Sequence, residues 1–502
     1  MKTFANFLKK HKFKLIAAAV LIAIIVIIPF IFKPESKSQS YSSYFMDLNY
    51  NDQTHILSGS EDVEYFNNSE NAFPSLYFHL YPNAFRQGSK SPVVSSNNYN
   101  NAFPNGESYG SINILKVCDE NGLPLEFSIG GEDENILQVD LSEELYPDES
   151  VKITIQFETI LPNANHRFGF GENTINLGNF YPIACVYEDG KGFFTQAYHS
   201  NGDPFYSDVA SYEVDFSCSS NFTVAASGEA KSQQTNGQTT TYSYQGDKIR
   251  DFCIVLSQKF EKASSQVGGT TINYYGYQGE QNLQAMADFA SQCVSTYNEM
   301  FGTYPYSTLN VVKSNFVHGG MEYPGIVLIS DTVSEEDYQY VIAHEIAHQW
   351  WYGVVGTNEY DHAWIDEGLA EYSTYLFFEN NEEFGLNYSS MISNALTNYK
   401  FFVQIYQQIN GDVDTSMDRS LDQFGTEPEY VQCVYTKGVL LFDSLRESVG
   451  ERKFLKALKD LYKDFAYQNI SPAELIASFS SSTGRNLENF IKGWIEGKVV
   501  IA

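Results

Sequence analysis

The chain is poor in cysteine and has half as many basic residues as acidic ones. None of its six cysteines belongs to a CxxC pair, which argues against a structural zinc site or a redox motif. The 31 lysines and arginines face 62 aspartates and glutamates, a balance that argues against nucleic acid or anionic lipid as a partner. No internal repeat of the solenoid type is visible. The thiols are compatible with disulfides and equally with buried free cysteines.

One segment near the start is strongly apolar. Residues 15–32 carry no charge, and five lysines precede them. As a helix these residues would span about 27 Å, close to the hydrocarbon thickness of a membrane. We expect an uncleaved signal anchor, with the lysines in the cytoplasm and the chain from about residue 33 outside it. A cleaved signal peptide is the alternative.

The rest of the chain changes character near residue 270. Before it, short alternating runs broken by turn residues predict strands, and after it helical periodicity prevails. Strands followed by helices indicate an α+β multidomain protein. We predict a cytoplasmic stub, anchor helix and linker over residues 1–40, an all-β domain over 41–265 and a mixed, helix-rich catalytic domain over 266–502.

The segment from His344 to His348 is an HExxH motif. On a helix the two histidines face the same side, so both imidazoles can bind one metal ion, with Glu345 beside it as general base. Glu367 follows His348 with eighteen residues between them and supplies a third ligand. Two imidazoles, one carboxylate and an open position are what a hydrolytic zinc site requires. The sequence therefore predicts one Zn²⁺ ion per chain.

Two helices are predicted to carry these residues. The first opens at Ser334 and Asp337, which read as a capping box, and runs to about Gly353. The second spans residues 364–378, and Glu371 lies one turn beyond the third ligand. Glu371 can accept the second ring N–H of a ligand histidine. The alternative is a solvated helix glutamate.

A glycine-rich segment upstream is the candidate substrate-binding element. It consists of Gly319, Gly320, Met321 and Glu322. It precedes a strand-like run, residues 326–329, to whose edge a peptide can add by main-chain hydrogen bonds, and glycines permit close approach. Glu322 can hold a cationic group, most naturally a free N-terminal ammonium. The alternative is a turn with an ordinary surface glutamate.

A tyrosine downstream completes the candidate site. Tyr435 precedes an amphipathic helix and can donate a hydrogen bond to a developing oxyanion. Composition alone does not select it, because the chain contains 36 tyrosines.

The order of these motifs resembles that of the gluzincin aminopeptidases, the aminopeptidase N and leukotriene hydrolase family. In that family a G-x-M-E-N segment, HExxH, a glutamate after eighteen residues and a Y-x-K-G tyrosine follow one another; here they match residues 319–323, 344–348, 367 and 435–438. Residues 78–85 resemble part of the family's β-saddle domain. The resemblance implies a saddle-like β domain followed by a thermolysin-like zinc peptidase domain.

The resemblance also implies the roles of the residues. Zinc would be bound by His344, His348 and Glu367. Glu345 would activate the water, Glu322 would recognise the substrate amino terminus and Tyr435 would stabilise the oxyanion.

Three departures from the family pattern accompany the resemblance. Tyr323 stands where the family usually has asparagine, and the family's second amine-binding residue, a Gln or Glu, is not found near residues 180–183. The chain also ends soon after Trp494, without the helical C-terminal domain of larger members, so we expect a more open cleft. We predict a membrane-anchored, extracytoplasmic zinc aminopeptidase that removes N-terminal residues from peptides. A zinc endopeptidase and a catalytically inactive binding or scaffold ectodomain are the alternatives.

Overall fold

The computed structural model describes residues 41–91 and 93–499. The predicted membrane anchor, residues 15–32, lies outside the described residues. Among the residues that are described, no helix has both the length and the apolar character needed to cross a membrane. From Ser42 onward the chain forms one folded unit with a β-rich part and a helix-rich part.

The β-rich part consists of strands β1 to β17 and one short helix. The strands are β1 (Ser42–Asn51), β2 (Ile56–Phe66), β3 (Phe73–His79), β4 (Ser111–Asp119), β5 (Phe127–Gly130), β6 (Ile136–Leu145), β7 (Ser150–Ile160), β8 (Phe168–Phe170), β9 (Ile175–Leu177), β10 (Ile183–Ala184), β11 (Tyr187–Glu188), β12 (Gly192–Phe193), β13 (Ala210–Ser219), β14 (Thr223–Ala226), β15 (Glu229–Asn236), β16 (Thr239–Ile249) and β17 (Ile254–Ser257). A 3₁₀ turn (Tyr81–Phe85) and helix α1 (Tyr99–Ala102) lie between β3 and β4.

In the long strands of the β-rich part, buried side chains alternate with exposed ones. In β1, Tyr44, Met46, Leu48 and Tyr50 are buried and the residues between them are exposed, the period of two that a half-buried strand requires. β1 lies in a seven-stranded sheet of order β15-β16-β13-β1-β2-β7-β4, packed with two four-stranded sheets of order β10-β3-β6-β5 and β14-β17-β9-β8. Their inner faces share one hydrophobic core.

The helix-rich part begins with a five-stranded sheet, which we call the second sheet. Its strands are β18 (Phe260–Val267), β19 (Thr270–Tyr277), β20 (Thr308–Ser314), β21 (Gly320–Met321) and β22 (Ile326–Ser330), in the order β18-β19-β20-β22-β21, followed by the short pair β23 (Gly356–Thr357) and β24 (Asn469–Ile470). Its helices are α2 (Leu283–Met300), α3 (Tyr338–Ala347), α4 (Glu359–His362), α5 (Asp366–Asn380), α6 (Tyr388–Asn410), α7 (Glu427–Val431), α8 (Lys437–Val449), α9 (Glu451–Asp464), α10 (Pro472–Thr483) and α11 (Glu488–Ile495). Short 3₁₀ turns cover Glu382–Phe384 and Leu421–Gln423, and a π-helical turn covers Gln432–Thr436.

The second sheet is buried between the two parts of the chain. In β22, Val327 and Ile329 belong to the core shared with the helices, whereas Ile326 and Leu328 belong to the core of the β-rich part. A sheet covered on both faces explains the continuous apolar run of this strand. The predicted domain boundary after residue 265 falls inside β18, the first strand of this sheet. The division into residues 41–265 and 266–502 stays a prediction.

The helix that carries the HExxH motif is shorter than predicted at both ends. Ser334 and Asp337 form a turn, in which the Asp337 N–H donates to Ser334 Oγ at 3.1 Å, and the helix starts only at Tyr338. It stops at Ala347 because the chain then reverses, with Tyr352 at a φ of 140°. The sequence signal at Gly353 marks the end of this turn rather than the end of the helix.

The six cysteines, all within the residues described, are buried and form no disulfide. Of the two alternatives left by the sequence, the structure therefore has buried free thiols. Four of them belong to the hydrophobic cores, Cys293 and Cys433 to that of the helix-rich part and Cys218 and Cys253 to that of the β-rich part, where they behave as small apolar side chains.

Candidate metal centre and substrate cleft

The two histidines of the motif lie at the C-terminal end of α3. The helical repeat sets His344 and His348 one turn apart on the same face. Their Nε2 atoms are 3.2 Å from each other, and both side chains are buried. The two imidazoles therefore face the same point.

Glu367 reaches this point from the first turn of α5. Its Oε2 atom lies 3.3 Å from Nε2 of His344 and 3.2 Å from Nε2 of His348. The carboxylate is buried. Burial raises the pKa of a carboxylate, but the imidazoles of the two histidines outweigh it and lower the pKa of Glu367 to about 2. Glu367 is therefore ionised, the state that a carboxylate metal ligand requires.

The three ligand atoms form a triangle that fits a divalent metal ion. Ligands bound tetrahedrally at zinc distances lie about 3.3 Å apart, and the sides of this triangle measure 3.2, 3.2 and 3.3 Å. Oε2 of Glu367 is buried and accepts no hydrogen bond within the described residues. A cation at the centre of the triangle would satisfy it. Two imidazoles and one carboxylate are a donor set that suits zinc.

Outer contacts orient both imidazoles. Oε2 of Glu371 lies 2.8 Å from Nδ1 of His344, and Oε1 of Glu371 accepts a hydrogen bond from the Tyr340 hydroxyl. Nδ1 of His348 lies 3.0 Å from the carbonyl oxygen of Trp351. Such partners fix the tautomer and the ring plane of a ligand histidine. Glu371 is thus placed at the histidine as the sequence predicted, and its role in metal binding stays a prediction.

Glu345 contacts Gly320 of β21 and is close enough to His344 and His348 for their charges to act on its carboxyl group. Its side chain is buried, and its Oε2 atom has no hydrogen-bond partner among the residues described. Burial raises the pKa of Glu345 to about 7, against the opposing effect of the imidazoles of His344 and His348. Gly320 makes room for it, because a Cβ atom there would lie 2.3 Å from Oε1 of Glu345. A carboxylate with this pKa can accept a proton near neutral pH.

The predicted substrate segment forms the edge of the second sheet. The strand predicted to present that edge, Ile326–Ser330, lies inside the sheet, and the edge strand is Gly320–Met321. The chain reverses between these two strands, and Gly319 accepts a hydrogen bond from the N–H of Ser330 at 2.9 Å. Strand β21 therefore pairs with β22 and takes the edge position. Gly319 and Gly320 both line the cleft.

Glu322 lies at the inner end of this segment and is 3% exposed. Its Oε1 atom has no hydrogen-bond partner among the described residues. Burial, and then the nearby charges of Asp203 and Glu345, raise the pKa of Glu322 well above its ordinary value. Gln349, the residue after the second histidine, donates to the carbonyl oxygens of Glu322 and Tyr323 at 3.3 and 3.1 Å. A surface glutamate, the alternative at this position, is therefore wrong.

Tyr435 reaches the metal ligands from the π-helical turn between α7 and α8. Its hydroxyl donates to Oε1 of Glu367, and its ring faces that of His344 with centroids 5.9 Å apart. Helix α8, which follows Tyr435, packs closely against α5, which carries Glu367, because a glycine of one helix faces a glycine of the other. A Cβ atom on Gly438 would lie 2.8 Å from the Cα of Gly368. π-helical turns such as the one that carries Tyr435 are frequent at functional sites.

Asp203, which the sequence did not identify, enters the site from the β-rich part. Its carboxylate lies with those of Glu322 and Glu367 in a group whose oxygens are within 4.8 Å of one another. Arg167 pairs with Asp203 and contacts the sulfur of Met321 at 3.1 Å. Asp203 follows a glycine in a segment without strand or helix, so no periodicity marks it, and only the packing of the β-rich part against the second sheet brings it here.

A cleft of about 550 Å³ leads from the protein surface to these residues, a volume typical of small-ligand sites. Its walls come from both parts of the chain. They include Asn98, Arg167, Asp203, His318, Gly319, Gly320, His344, Glu345, Glu371, Glu427, Tyr430 and Tyr435. His344 of the ligand triangle, Glu345 and the two glycines at the sheet edge thus line one cleft.

Comparison with known proteins connects this arrangement to one family. Residues 285–494 match the model of the Peptidase family M1 domain. The chain is 25% identical over 244 residues to Aminopeptidase M1-B of Oryza sativa subsp. japonica, covering 46% of this chain and 27% of that protein. It is 24% identical over 258 residues to Aminopeptidase N of Lactococcus lactis subsp. lactis, covering 47% and 29%. The matches therefore span less than a third of these relatives. They confirm the resemblance predicted from the motifs.

Solved structures extend the likeness to nearly the whole chain. The M1 zinc metallopeptidase from Deinococcus radiodurans superposes with a TM-score of 0.64 at 16% identity, covering 92% of this chain and 94% of that one. A mutant of that protein bound to a Tyr-Ser-Ala substrate superposes with a TM-score of 0.62 over the same shares. At this identity the likeness concerns the fold. It confirms the predicted order of a β-rich domain followed by a helix-rich domain.

Proposed function

We propose that this chain, whose residues 285–494 match the Peptidase family M1 domain, is a zinc-dependent aminopeptidase. The observation that carries the proposal is the convergence of His344, His348 and Glu367 on one point, with Glu345, whose Oε2 atom has no hydrogen-bond partner among the described residues, in the same cleft as His344. The ligand set, the base and a peptide-binding strand edge in one cleft are the parts that peptide hydrolysis needs. The substrate class is peptides with a free N-terminus.

The residues of the chain divide the chemistry among them. When bound, zinc polarises the scissile carbonyl and lowers the pKa of a water molecule. Glu345 takes the proton from that water and passes it to the leaving amine, a task that its pKa of about 7 suits. The Tyr435 hydroxyl, next to Glu367, donates to the carbonyl oxygen as negative charge develops on it. Glu371 and the Trp351 carbonyl keep the two imidazoles oriented.

Recognition of the amino terminus is assigned to two carboxylates. Carboxylate oxygens of Glu322 and Asp203 lie within 4.8 Å of each other, Asp203 lines the cleft, and Oε1 of Glu322, buried behind it, lacks a partner within the described chain. Burying carboxylates without a cation is costly, and a substrate ammonium placed between them offsets that cost. Arg167 neutralises part of the charge through Asp203. An endopeptidase would leave these carboxylates without a function.

The first test is hydrolysis by the purified, zinc-loaded full chain. A panel of aminoacyl fluorogenic amides is compared with the N-acetylated counterparts, with and without a chelator. We expect chelator-sensitive release from the free amines alone. Release from blocked substrates at equal rates would assign an endopeptidase instead, and absence of release from a zinc-loaded protein would leave a binding ectodomain. Glu345→Gln is the control, since it is expected to keep zinc and to lose turnover by about 10²- to 10⁴-fold.

We further propose that residues 15–32 anchor the protein in a membrane and that the catalytic part lies outside the cytoplasm. The support is the uncharged apolar run and the five lysines that precede it, an arrangement that follows the positive-inside rule. Membrane fractionation and protease accessibility of intact cells test this. Recovery of the full chain in the soluble fraction would contradict it, and a shortened secreted form would indicate cleavage of the segment.

A further inference from the structure

One contact joins the two parts of the chain at the wall of the cleft. Ser95 Oγ donates to Oε2 of Glu427 at 2.7 Å, and Nδ2 of Asn98 lies 3.3 and 3.4 Å from the two carboxylate oxygens. Ser95 and Asn98 belong to the segment between β3 and β4 of the β-rich part, and Glu427 is the first residue of α7. Hydrogen bonds to an ionised acceptor are the stronger kind. We call this contact the clasp.

The clasp lies in the wall of the cleft described above. Asn98 and Glu427 line the same cavity as His344 and Glu345, although they come from opposite parts of the chain. A hydrogen bond between opposite walls closes the space between them. The cleft is therefore bridged where Asn98 and Glu427 meet.

The catalytic side of the clasp is held in place by its own contacts. The guanidinium of Arg419 stacks on the ring of Phe424 at 4.1 Å and pairs with Glu429 at 2.8 Å. Asn201 of the β-rich part donates to the carbonyl oxygen of Phe424 at 3.1 Å. These contacts fix the start of α7, so that Glu427 forms a rigid edge of the cleft.

We propose that the clasp makes the protein select short peptides. The proposal rests on the proposed function, in which the amino terminus of the substrate occupies the buried end of the cleft at Glu322. A peptide held there runs outward past the ligand triangle, and the clasp narrows its exit. A longer peptide must then displace the hydrogen bonds to Glu427 or bend away from them, and either raises the free energy of its complex.

The test measures binding, independently of turnover. In the zinc-loaded full chain carrying Glu345→Gln, calorimetry gives Kd for a three-residue and a twelve-residue peptide that share their first three residues. We expect the longer peptide to bind about tenfold more weakly, the worth of one to two such hydrogen bonds. Adding Glu427→Ala is expected to remove this difference, as is the double substitution Ser95→Ala and Asn98→Ala. All three side chains are only partly buried, so these variants leave the core intact.

Glu229→Ala is the matched control. Glu229 also accepts a hydrogen bond from a serine across the same two parts of the chain, Ser307 Oγ at 2.9 Å, and it does not line the cleft. It is expected to keep the length dependence. An unchanged difference between the two peptides in Glu427→Ala overturns the clasp and leaves the aminopeptidase standing. Absence of binding of both peptides overturns both proposals, and the fluorogenic amide assay shows independently whether the protein hydrolyses free amines.

Discussion

Replacing Gly320 by alanine tests whether Glu345 acts as the base in the position described. The two residues are in close contact across the cleft wall. A Cβ atom at Gly320 would lie 2.3, 2.4 and 2.6 Å from Oε1, Cδ and Cγ of Glu345, whereas ordinary contacts begin near 3.4 Å. The carboxylate would have to move by about 1 Å. The Glu345 side chain is buried, so it has little room to move. If it stays in place, the backbone of β21 must shift instead.

The expected loss follows from that displacement. A misplacement of about 1 Å in a catalytic group costs about 10²-fold in rate, equivalent to about 2.7 kcal/mol in activation free energy. The ligand triangle does not touch Gly320, so zinc stoichiometry is expected to stay at one per chain. The assay is kcat and KM on an aminoacyl fluorogenic amide, together with metal analysis.

Gly319→Ala is the comparison that separates this effect from a general loss of glycine. A Cβ atom at Gly319 meets only the side chain of Val341, at 3.9 Å, an ordinary contact. Neither glycine has a positive φ, so backbone strain does not distinguish them. We expect kcat of Gly320→Ala to be lower than that of Gly319→Ala by at least about 30-fold. Equal values for the two variants would refute the assignment of Glu345 and Gly320 as neighbours in the working site.

Four further predictions follow from other contacts. Tyr435→Phe is expected to lower kcat by about 10²- to 10³-fold with KM little changed; a normal kcat would remove the hydroxyl from the mechanism. Glu371→Gln is expected to weaken zinc binding by about 10- to 100-fold through His344, measured by competition with a chelator. Asp203→Asn is expected to reduce the preference for free over N-acetylated substrates, measured as the ratio of kcat/KM. Burial raises the pKa of Asp251 to about 7, so the folded state retains a proton that the unfolded state loses near pH 4, and its contribution to stability falls as pH rises from 4 to 7. Asp251→Asn is expected to remove this fall, which between pH 5 and pH 7.5 is on the order of 2.5 kcal/mol, as measured by urea unfolding at those two pH values.

Local spacing accounts for the part of the site that could be predicted from the sequence. His344 and His348 are one helical turn apart, and Glu371 is one turn from Glu367, so each pair shares a face whatever the rest of the chain does. The ends of the helix are less determined. Serine is a common N-cap residue, yet the side chain of Ser334 stabilises a turn ahead of the helix. Several local structures compete for the same short polar side chain, and only the packing of the following helix decides among them.

The surroundings of Glu322 could not be predicted from the sequence, because contacts between distant parts of the chain form them. Tyr323, next to Glu322, stands where the family usually has asparagine. In the structure the Tyr323 hydroxyl instead donates to Oδ1 of Asn179 at 2.7 Å, and Gly178 leaves room for its ring. Gln349 holds the backbone on the other side. These partners are between 26 and 144 residues away along the chain, so no local pattern could show them.

The contribution of Asp203 and Asn98 makes the β-rich part a component of the site rather than an attachment to it. Arg250 indicates how firmly the two parts are joined: its buried guanidinium donates to the carbonyl oxygens of Ser207 and Tyr352 at 2.8 and 2.6 Å. Tyr352 directly follows Trp351, whose carbonyl orients His348. The same junction therefore fixes the position of His348 relative to Glu322 and Asp203, the two carboxylates that we propose bind the substrate ammonium. An aminopeptidase needs that distance to be constant, because it sets how many residues lie between the substrate ammonium and the bond that is cut.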